Sequence, residues 1–364
     1  MQSNTFKTFL TVLFFSFFVT TFADTKDPVQ EDEPFDTNEL IFHHITDSHS
    51  FHVYGSDADH FPKALTVALP VILWTENGLV TFMSSEFHHD IDGKTIVEKK
   101  GMKFVNLHEK IYQLNEGASA IDFDTEHHPT NAVKPLDISI TKNVFSMLLS
   151  MILLMVIFIA AARSYKKSSD NVPTGIGKFL EPIIVFIRDE VAIPNIGEHH
   201  YKRFMPFLLT LFFFIWVNNI FGLIPFFPFS SNLSGNIAFT MTLAVITFLI
   251  TTFIANRNYW GHIFWMPGVP VYMKLFLAPI EFLGIFIKPM ALMIRLFANI
   301  TAGHVIVLSL ISLIFVLKSV WVAPVSVLFT VFISVIEVLV VAIQAYIFTL
   351  LSALYFGQAL EEEH

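Results

Sequence analysis

The 364-residue chain has no cysteine. That absence removes disulfides, thiolate chemistry and cysteine-type metal sites together, and leaves the redox compartment unreadable from thiol usage. Charge is scarce as well: Asp, Glu, Lys and Arg make up 15% of the residues, against 54% hydrophobic residues and 41 phenylalanines. Such a profile belongs to an integral membrane protein rather than to a water-soluble enzyme. No glycine-rich loop of the kind that cradles phosphate occurs, so nucleotide chemistry is not expected within this chain. The net charge of −9 comes from acids placed before Ile140 and from Glu361, Glu362 and Glu363. The apolar part is close to balanced, so the acidity points to no nucleic-acid partner.

What is present changes character along the chain. Met1 to Ala23 carries one lysine, Lys7, an apolar core from Phe9 to Val19, and small residues at the two positions a signal peptidase reads. The core is too short to span a bilayer and leads into a polar acidic stretch, the pattern of a cleaved signal peptide over residues 1–23; the alternative, an uncleaved anchor helix, leaves the next segment on the same side. Residues 24–137 are polar and charged and hold ten of the fifteen histidines. Within them, Val71 to Met83 contains two β-prone runs joined at Asn77-Gly78, where both central residues accept positive φ, so a hairpin is predicted there. Further runs at Phe51 to Tyr54, Thr95 to Val97 and Lys103 to Leu107 point to a small, mainly β extracytoplasmic domain. His43, His44, His49, His52, His88, His89, His127 and His128 match no metal-ligand spacing and read as histidines of solvated loops. Neither a metal nor a cofactor is expected.

Residues 138–364 read as a membrane domain. Apolar runs at about 144–162, 204–225 and 237–255 are each long enough to cross a hydrocarbon core of about 30 Å. Those at about 279–317 and 324–356 are much longer than the roughly 20 residues that suffice, so they must tilt strongly, break or lie partly in the membrane plane. Only Lys318 to Ala323 separates them, which predicts an antiparallel hairpin. Arg163, Lys166, Lys167, Lys178, Arg188, Lys202 and Arg203 cluster between the first two spans, which places that segment in the cytoplasm by the positive-inside rule. Within it, Ile176 to Val191 has helical apolar spacing suited to the membrane surface. The fold class expected is an α-helical integral membrane protein with about five membrane helices, the last two a long tilted hairpin. A small β-rich exported domain precedes them, and the C-terminus is cytoplasmic.

Arg295 and His304 stand deep inside the first long run, with no acidic residue after Glu281 to neutralise the arginine locally. An arginine at a helix centre costs roughly 2.5 to 3.5 kcal/mol on insertion scales. It cannot shed its proton, so it is a functional candidate with a partner to be found. Glu281, Lys288 and Arg295 are spaced by seven, which drifts only about 20° per step and keeps them on one face. Asn299, four residues on, shares that face, whereas His304 points away from it. Glu337 and Gln344 are also seven apart, so the hairpin is expected to bring Gln344 near Arg295 and Glu337 near His304. A His and Glu couple takes up and releases protons near neutral pH. A fixed arginine repels cations and attracts a carboxylate, which separates two water paths instead of joining them.

These residues resemble subunit a of the rotary F-type ATP synthase of bacteria. The likeness lies in Arg295-Leu296-Phe297-Ala298-Asn299, Ala302-Gly303-His304, Glu337 and Gln344-Ala345-Tyr346-Ile347-Phe348, with Asn219 to Pro225 and Pro279-Ile280-Glu281 before them. The resemblance implies a proton-translocating stator subunit of the inner membrane with no catalytic residue of its own. Its partners would be the c-ring, the b subunits of the peripheral stalk and the lipid bilayer. Arg295 would face the ring carboxylate, with Gln344 and Asn299 holding it. His304, Glu337 and Asn219 would line the periplasmic half-channel, and Glu281 the cytoplasmic one. Gly222 stands where some relatives carry an acid, and the exported domain is far longer than is usual. Two other readings share the composition: a self-contained ion or solute transporter, and an anchor presenting the histidine-rich domain. No internal repeat with broken helices supports the first, and the second has no use for Arg295.

Overall fold

The computed structural model describes residues 46–54, 65–118, 120–124, 129–167, 174–224, 228–229, 231–266, 268–317, 319 and 321–361. The predicted signal peptide, and His43, His44, His127 and His128, lie outside them.

Among the described residues nine short strands come first: β1 Ser50–Tyr54, β2 Leu65–Ala68, β3 Pro70–Thr75, β4 Gly78–Met83, β5 Val97–Lys99, β6 Met102–Leu107, β7 Lys110–Leu114, β8 Ala132–Val133 and β9 Leu136–Asp137. They pair antiparallel in three small sheets, ordered β1-β2, β4-β3-β9 and β5-β6-β7-β8. The predicted β3–β4 hairpin is present, but its turn is shifted by one residue. Thr75 pairs with Gly78, so Glu76 and Asn77 form the loop, and only Gly78 takes a positive φ, +94°. Burial explains this register: it sets Leu73 opposite Val80 in the core and Trp74 opposite Leu79 at the surface, and a one-residue slip would reverse one strand. β5 begins at Val97 rather than Thr95, because the Thr95 amide donates to the side chain of Asp90. β7, which the sequence reading missed, follows a turn at His108-Glu109. Both of those residues are left-handed, at φ 48° and 63°, a conformation costing about 1–2 kcal/mol per non-glycine residue. Val71, Leu73, Val80, Phe82, Phe87, Phe104 and Ile111 belong to the small core.

The helices follow: α1 Lys142–Lys167, α2 Ile176–Phe186, α3 Ile193–Ile196, α4 Tyr201–Leu223, α5 Ile237–Ile254, α6 Arg257–Phe264, α7 Val271–Val316 and α8 Val322–Leu360. Five of them, α1, α4, α5, α7 and α8, are long and apolar enough to cross a membrane. α2 passes through a π-helical turn, Ile187–Ala192, into α3, and together they bury Leu180, Ile187, Val191 and Ile196 in the helical core. α7 has 46 residues and α8 has 39, so at 1.5 Å per residue they run about 69 and 58 Å, roughly twice a bilayer core of about 30 Å. α7 starts at Val271, earlier than its apolar run suggested, and continues through Pro279 and Pro289.

Leu208, Ile215, Leu292, Leu296, Val341, Phe348 and Phe356 interlock α4, α7 and α8. Close approach at the end of α8 depends on Gly357, where a Cβ would collide with the carbonyl oxygen of Asn195. Asn256, between α5 and α6, then closes the helix: its amide donates to Ala359 O at 2.9 Å and its side chain to Leu360 O at 3.2 Å. At the other end of the bundle the β domain joins α1. The first amides of α1 are taken up by Ser48 O, 2.8 Å from Lys142 N, and by Asp47 Oδ1, 3.0 Å from Asn143 N. Phe51 packs edge-on against Phe145 with ring centroids 5.5 Å apart.

Candidate functional site in the long helix hairpin

Polar contacts set the register between α7 and α8. Lys288 Nζ donates to Gln358 Oε1 at 2.9 Å, Asn299 Nδ2 to Gln344 Oε1 at 2.8 Å, and His304 Nδ1 lies 3.7 Å from Glu337 Oε1. Each step toward the C-terminus of α7 matches a step toward the N-terminus of α8, as an antiparallel pair requires. Nearer the loop, the Ser326 hydroxyl donates to Leu310 O. Between these contacts the facing sides carry Leu292, Leu296, Ile300, Val341 and Phe348, all buried. The polar groups are therefore isolated from one another by apolar packing.

His304 and Glu337 form the most enclosed of these couples, with 16% and 6% of their side chains exposed. Their 3.7 Å separation is too long for a hydrogen bond and suits a bridging water or a small ring rotation. Glu337 Oε1 is buried and makes no hydrogen bond to the described residues. Two glycines make the space. A Cβ on Gly303 would lie 2.6 Å from Glu337 Oε1 and 2.9 Å from its carboxyl carbon, so the carboxylate occupies volume that any other residue would fill. A Cβ on Gly222 of α4 would lie 3.6 Å from His304 Nε2 and 3.1 Å from Ser231 O. Asn219, three residues before Gly222 and on its face of α4, is 3% exposed, and neither side-chain polar atom has a hydrogen-bond partner among the described residues. Its neighbour Asn218 donates to Phe214 O of its own helix at 2.7 Å.

Arg295 lies one turn before Asn299 and nine residues before His304, about 13.5 Å along the axis. It is exposed, and among the described residues no ion pair or hydrogen bond reaches it. Gln344, expected beside Arg295, directs its Oε1 to Asn299, one turn further along α7, while its Nε2 is buried with no hydrogen-bond partner among the described residues. Exposed Ile287, Met290 and Ile294 stand on the same helix, and Tyr355 of α8 is within electrostatic reach of the arginine.

Glu281 and Lys288 lie toward the opposite end. Lys288 borders a cavity of about 20 Å³, enough for about one water, together with Thr247, Thr251, Tyr259, Tyr355 and Gln358. Burial, helped by the negative charge of Glu281, pushes the Tyr259 hydroxyl above its ordinary pKa. Tyr259, Thr247 and Thr251 escaped sequence reasoning because they come from α5 and α6, whose spacing carries no information about α7. Among the described residues no group of three His, Asp or Glu side chains gathers as a metal site requires.

A family model described as the ATP synthase A chain matches residues 144–357, and a second, described as a domain of unknown function (DUF8433), matches residues 40–138. The chain is 44% identical over 266 residues to a protein named ATP synthase subunit a of Chloroherpeton thalassium, covering 70% of this chain and 78% of that one. It is 48% identical over 244 residues to one named ATP synthase subunit a 2 of Chlorobaculum tepidum, covering 65% of this chain and 68% of the relative. A protein named ATP synthase subunit a of Anaeromyxobacter dehalogenans is 43% identical over 233 residues, covering 62% of this chain and 59% of the relative.

Proposed function

Because the chain belongs to the ATP synthase A chain family, a family of multi-pass membrane subunits of the ATP synthase, we propose that it is the proton-conducting stator subunit of a bacterial F-type complex. Its partners are the c-ring, the b subunits of the peripheral stalk and lipid. Two offset half-channels load and unload a carboxylate on the ring, and Arg295 keeps them apart. His304, Glu337 and Asn219 belong to the half-channel on the exported side, and Glu281 to the cytoplasmic one. Asn299 and Gln344 brace the arginine's helix against α8. Residues 1–23 are the signal peptide, residues 24–137 the periplasmic domain, and residues 138–364 the membrane domain of an inner-membrane protein with a cytoplasmic C-terminus.

One observation carries this reading: a permanent charge stands exposed on α7 with no ion pair or hydrogen bond to the described residues, while His304, two and a half turns further along the same helix, faces Glu337 of α8 in a largely enclosed titratable couple. A charge in that position is tolerated when a counter-ion arrives from outside the chain. A ring carboxylate supplies it at each step. Once neutralised by a proton from one half-channel, the carboxyl can enter lipid; on its return, the positive field of Arg295 favours ionisation into the other half-channel. Each proton falling through 100 mV contributes about 2.3 kcal/mol to rotation. The chain itself performs no phosphate chemistry. The test is ATP-driven proton pumping by vesicles containing the whole complex. Arg295→Ala is expected to abolish it, and retained pumping would remove the role assigned to the arginine.

A further inference from the structure

The β domain carries a second group of titratable side chains, at its junction with α1. His49 is 6% exposed, its Nε2 lies 2.9 Å from Asp137 Oδ2, and its Nδ1 is buried with no hydrogen-bond partner among the described residues. Its backbone amide lies 3.4 Å from Glu109 Oε2. Glu109 interacts electrostatically with His49, Asp47 and Lys142, and Asp47 accepts from the amide of Asn143. One buried histidine, three carboxylates and one ammonium thus converge on the first residues of a membrane helix.

From there, buried polar groups stand at intervals toward the couple described above. Asn143, 4% exposed, accepts at Oδ1 from the hydroxyl of Ser231, which is 1% exposed. The carbonyl of Ser231 and Nε2 of His304 flank the empty side of Gly222. His304 faces Glu337. Along this line Ser146 Oγ, Asn232 Nδ2, Ser234 Oγ and both polar atoms of Asn219 are buried and have no hydrogen-bond partner among the described residues. Buried polar groups rarely go unsatisfied, and a row of them calls for water.

We propose that the exported domain is the outer vestibule of the proton inlet, in which Glu109 and the His49–Asp137 pair collect protons and pass them through water along Asn143, Ser231 and Gly222 to His304. The proposal rests on the stator reading above. It gives the histidine at position 49 a specific task, and it gives α1 a wall of the passage. Glu109 is suited to collection because burial raises its pKa, against the opposing effects of the His49 amide and Lys142. The charged and titratable groups facing it are His49, Asp47 and Lys142, with Asp137 behind the histidine.

The test uses the whole complex in liposomes, with ATP synthesis measured against pH on the exported side. Glu109→Gln keeps the acceptor for the His49 amide and removes the titration. Synthesis is expected to fall by about tenfold at alkaline exported pH, where protons are scarce, and to recover at acidic pH. A profile unchanged, or lowered equally at every pH, would show a merely structural junction and overturn the proposal. Ser231→Cys gives a readout that does not depend on titration, since the chain has no other cysteine. Silver ions added on the exported side are expected to block synthesis by the variant and spare the parent complex; a variant that silver leaves active also overturns the proposal. Arg295→Ala separates the two levels. If it pumps, the stator reading fails; if it is inactive while Glu109→Gln keeps the parent pH profile, only the vestibule fails.

Discussion

Replacing Gly303 by alanine would test the helix hairpin at its most crowded polar point. The new Cβ would lie 2.6 Å from Glu337 Oε1, 2.9 Å from the carboxyl carbon and 3.3 Å from Cγ. Van der Waals contact between carbon and oxygen begins near 3.3 Å, so the carboxylate must retreat by roughly 0.7 Å or the helices must part. Overpacking of this kind costs about 1–3 kcal/mol. If that cost falls on the proton-transfer step, pumping slows by about 5- to 150-fold. Gly222→Ala is the internal comparison. Its closest new contact is 3.1 Å from Ser231 O and the next is 3.6 Å from His304 Nε2, so a shift of a few tenths of an ångström absorbs it. A loss of about twofold is expected there. Both variants are assayed in vesicles by quenching of a pH-sensitive dye on ATP addition, normalised to the amount of assembled chain on an immunoblot. Glu337→Asp placed on the Gly303→Ala background withdraws the carboxylate and should restore part of the rate. Full pumping by Gly303→Ala, or an equal loss in the two single variants, would refute the argument that this glycine exists to house Glu337.

Asn299→Ala would leave the buried Gln344 Oε1 without its donor, at a cost of about 1–3 kcal/mol, and should lower pumping while the chain still assembles; unchanged activity would count against the bracing role. Gly357→Ala should reduce the amount of chain recovered from membranes because the Cβ meets the Asn195 carbonyl, whereas Gly284→Ala, where nothing stands in the way, should leave it unchanged. The β domain should show opposed pH limbs in a protease-protection assay on the purified complex. Burial would raise the pKa of Asp137, but hydrogen bonds from His49 and Ser139 outweigh it and hold the carboxyl low, so its stabilisation is present above the ordinary carboxylate pKa and is lost as pH falls through the lowered value. Glu109 is shifted upward by burial, so its contribution is complete below the ordinary value and lost as pH rises through the raised one; Glu109→Gln should remove that limb alone.

The membrane helices were legible because lipid demands long apolar runs, and the third span, expected at 237–255, is Ile237–Ile254. The pairing of His304 with Glu337 followed from spacing, since a helix face repeats closely every seven residues. The first turns of α7 were hidden because Tyr272, Lys274 and the preceding Pro270 carry the marks of a loop, although Pro270 is the residue that caps the helix. Gly222 and Gly303 could not be understood from sequence, because a glycine does not announce what stands opposite it. His49 was grouped with solvated histidines. Only the pairing of β9 with β3 brings Asp137 across the fold to bury it. The β3–β4 turn was misplaced by one residue because local turn preference favoured Asn77-Gly78, while the core required Leu73 and Val80 to face each other.

The Asn256 clamp on the last carbonyls of α8 has a mechanical consequence. With Lys288 and Gln358 joined nearby and Ser326 tied to Leu310 toward the opposite end, the α7–α8 hairpin is a beam held at both ends. On the function proposed above, a rotor pushing sideways on Arg295, between those supports, would meet a braced span instead of a free lever. The load would pass into α4 through Phe204 and Phe207, whose rings rest on Phe356. Removing the clamp with Asn256→Ala would leave the charges in place and make the beam a cantilever, so slippage under high torque should appear before any loss of pumping against a small gradient.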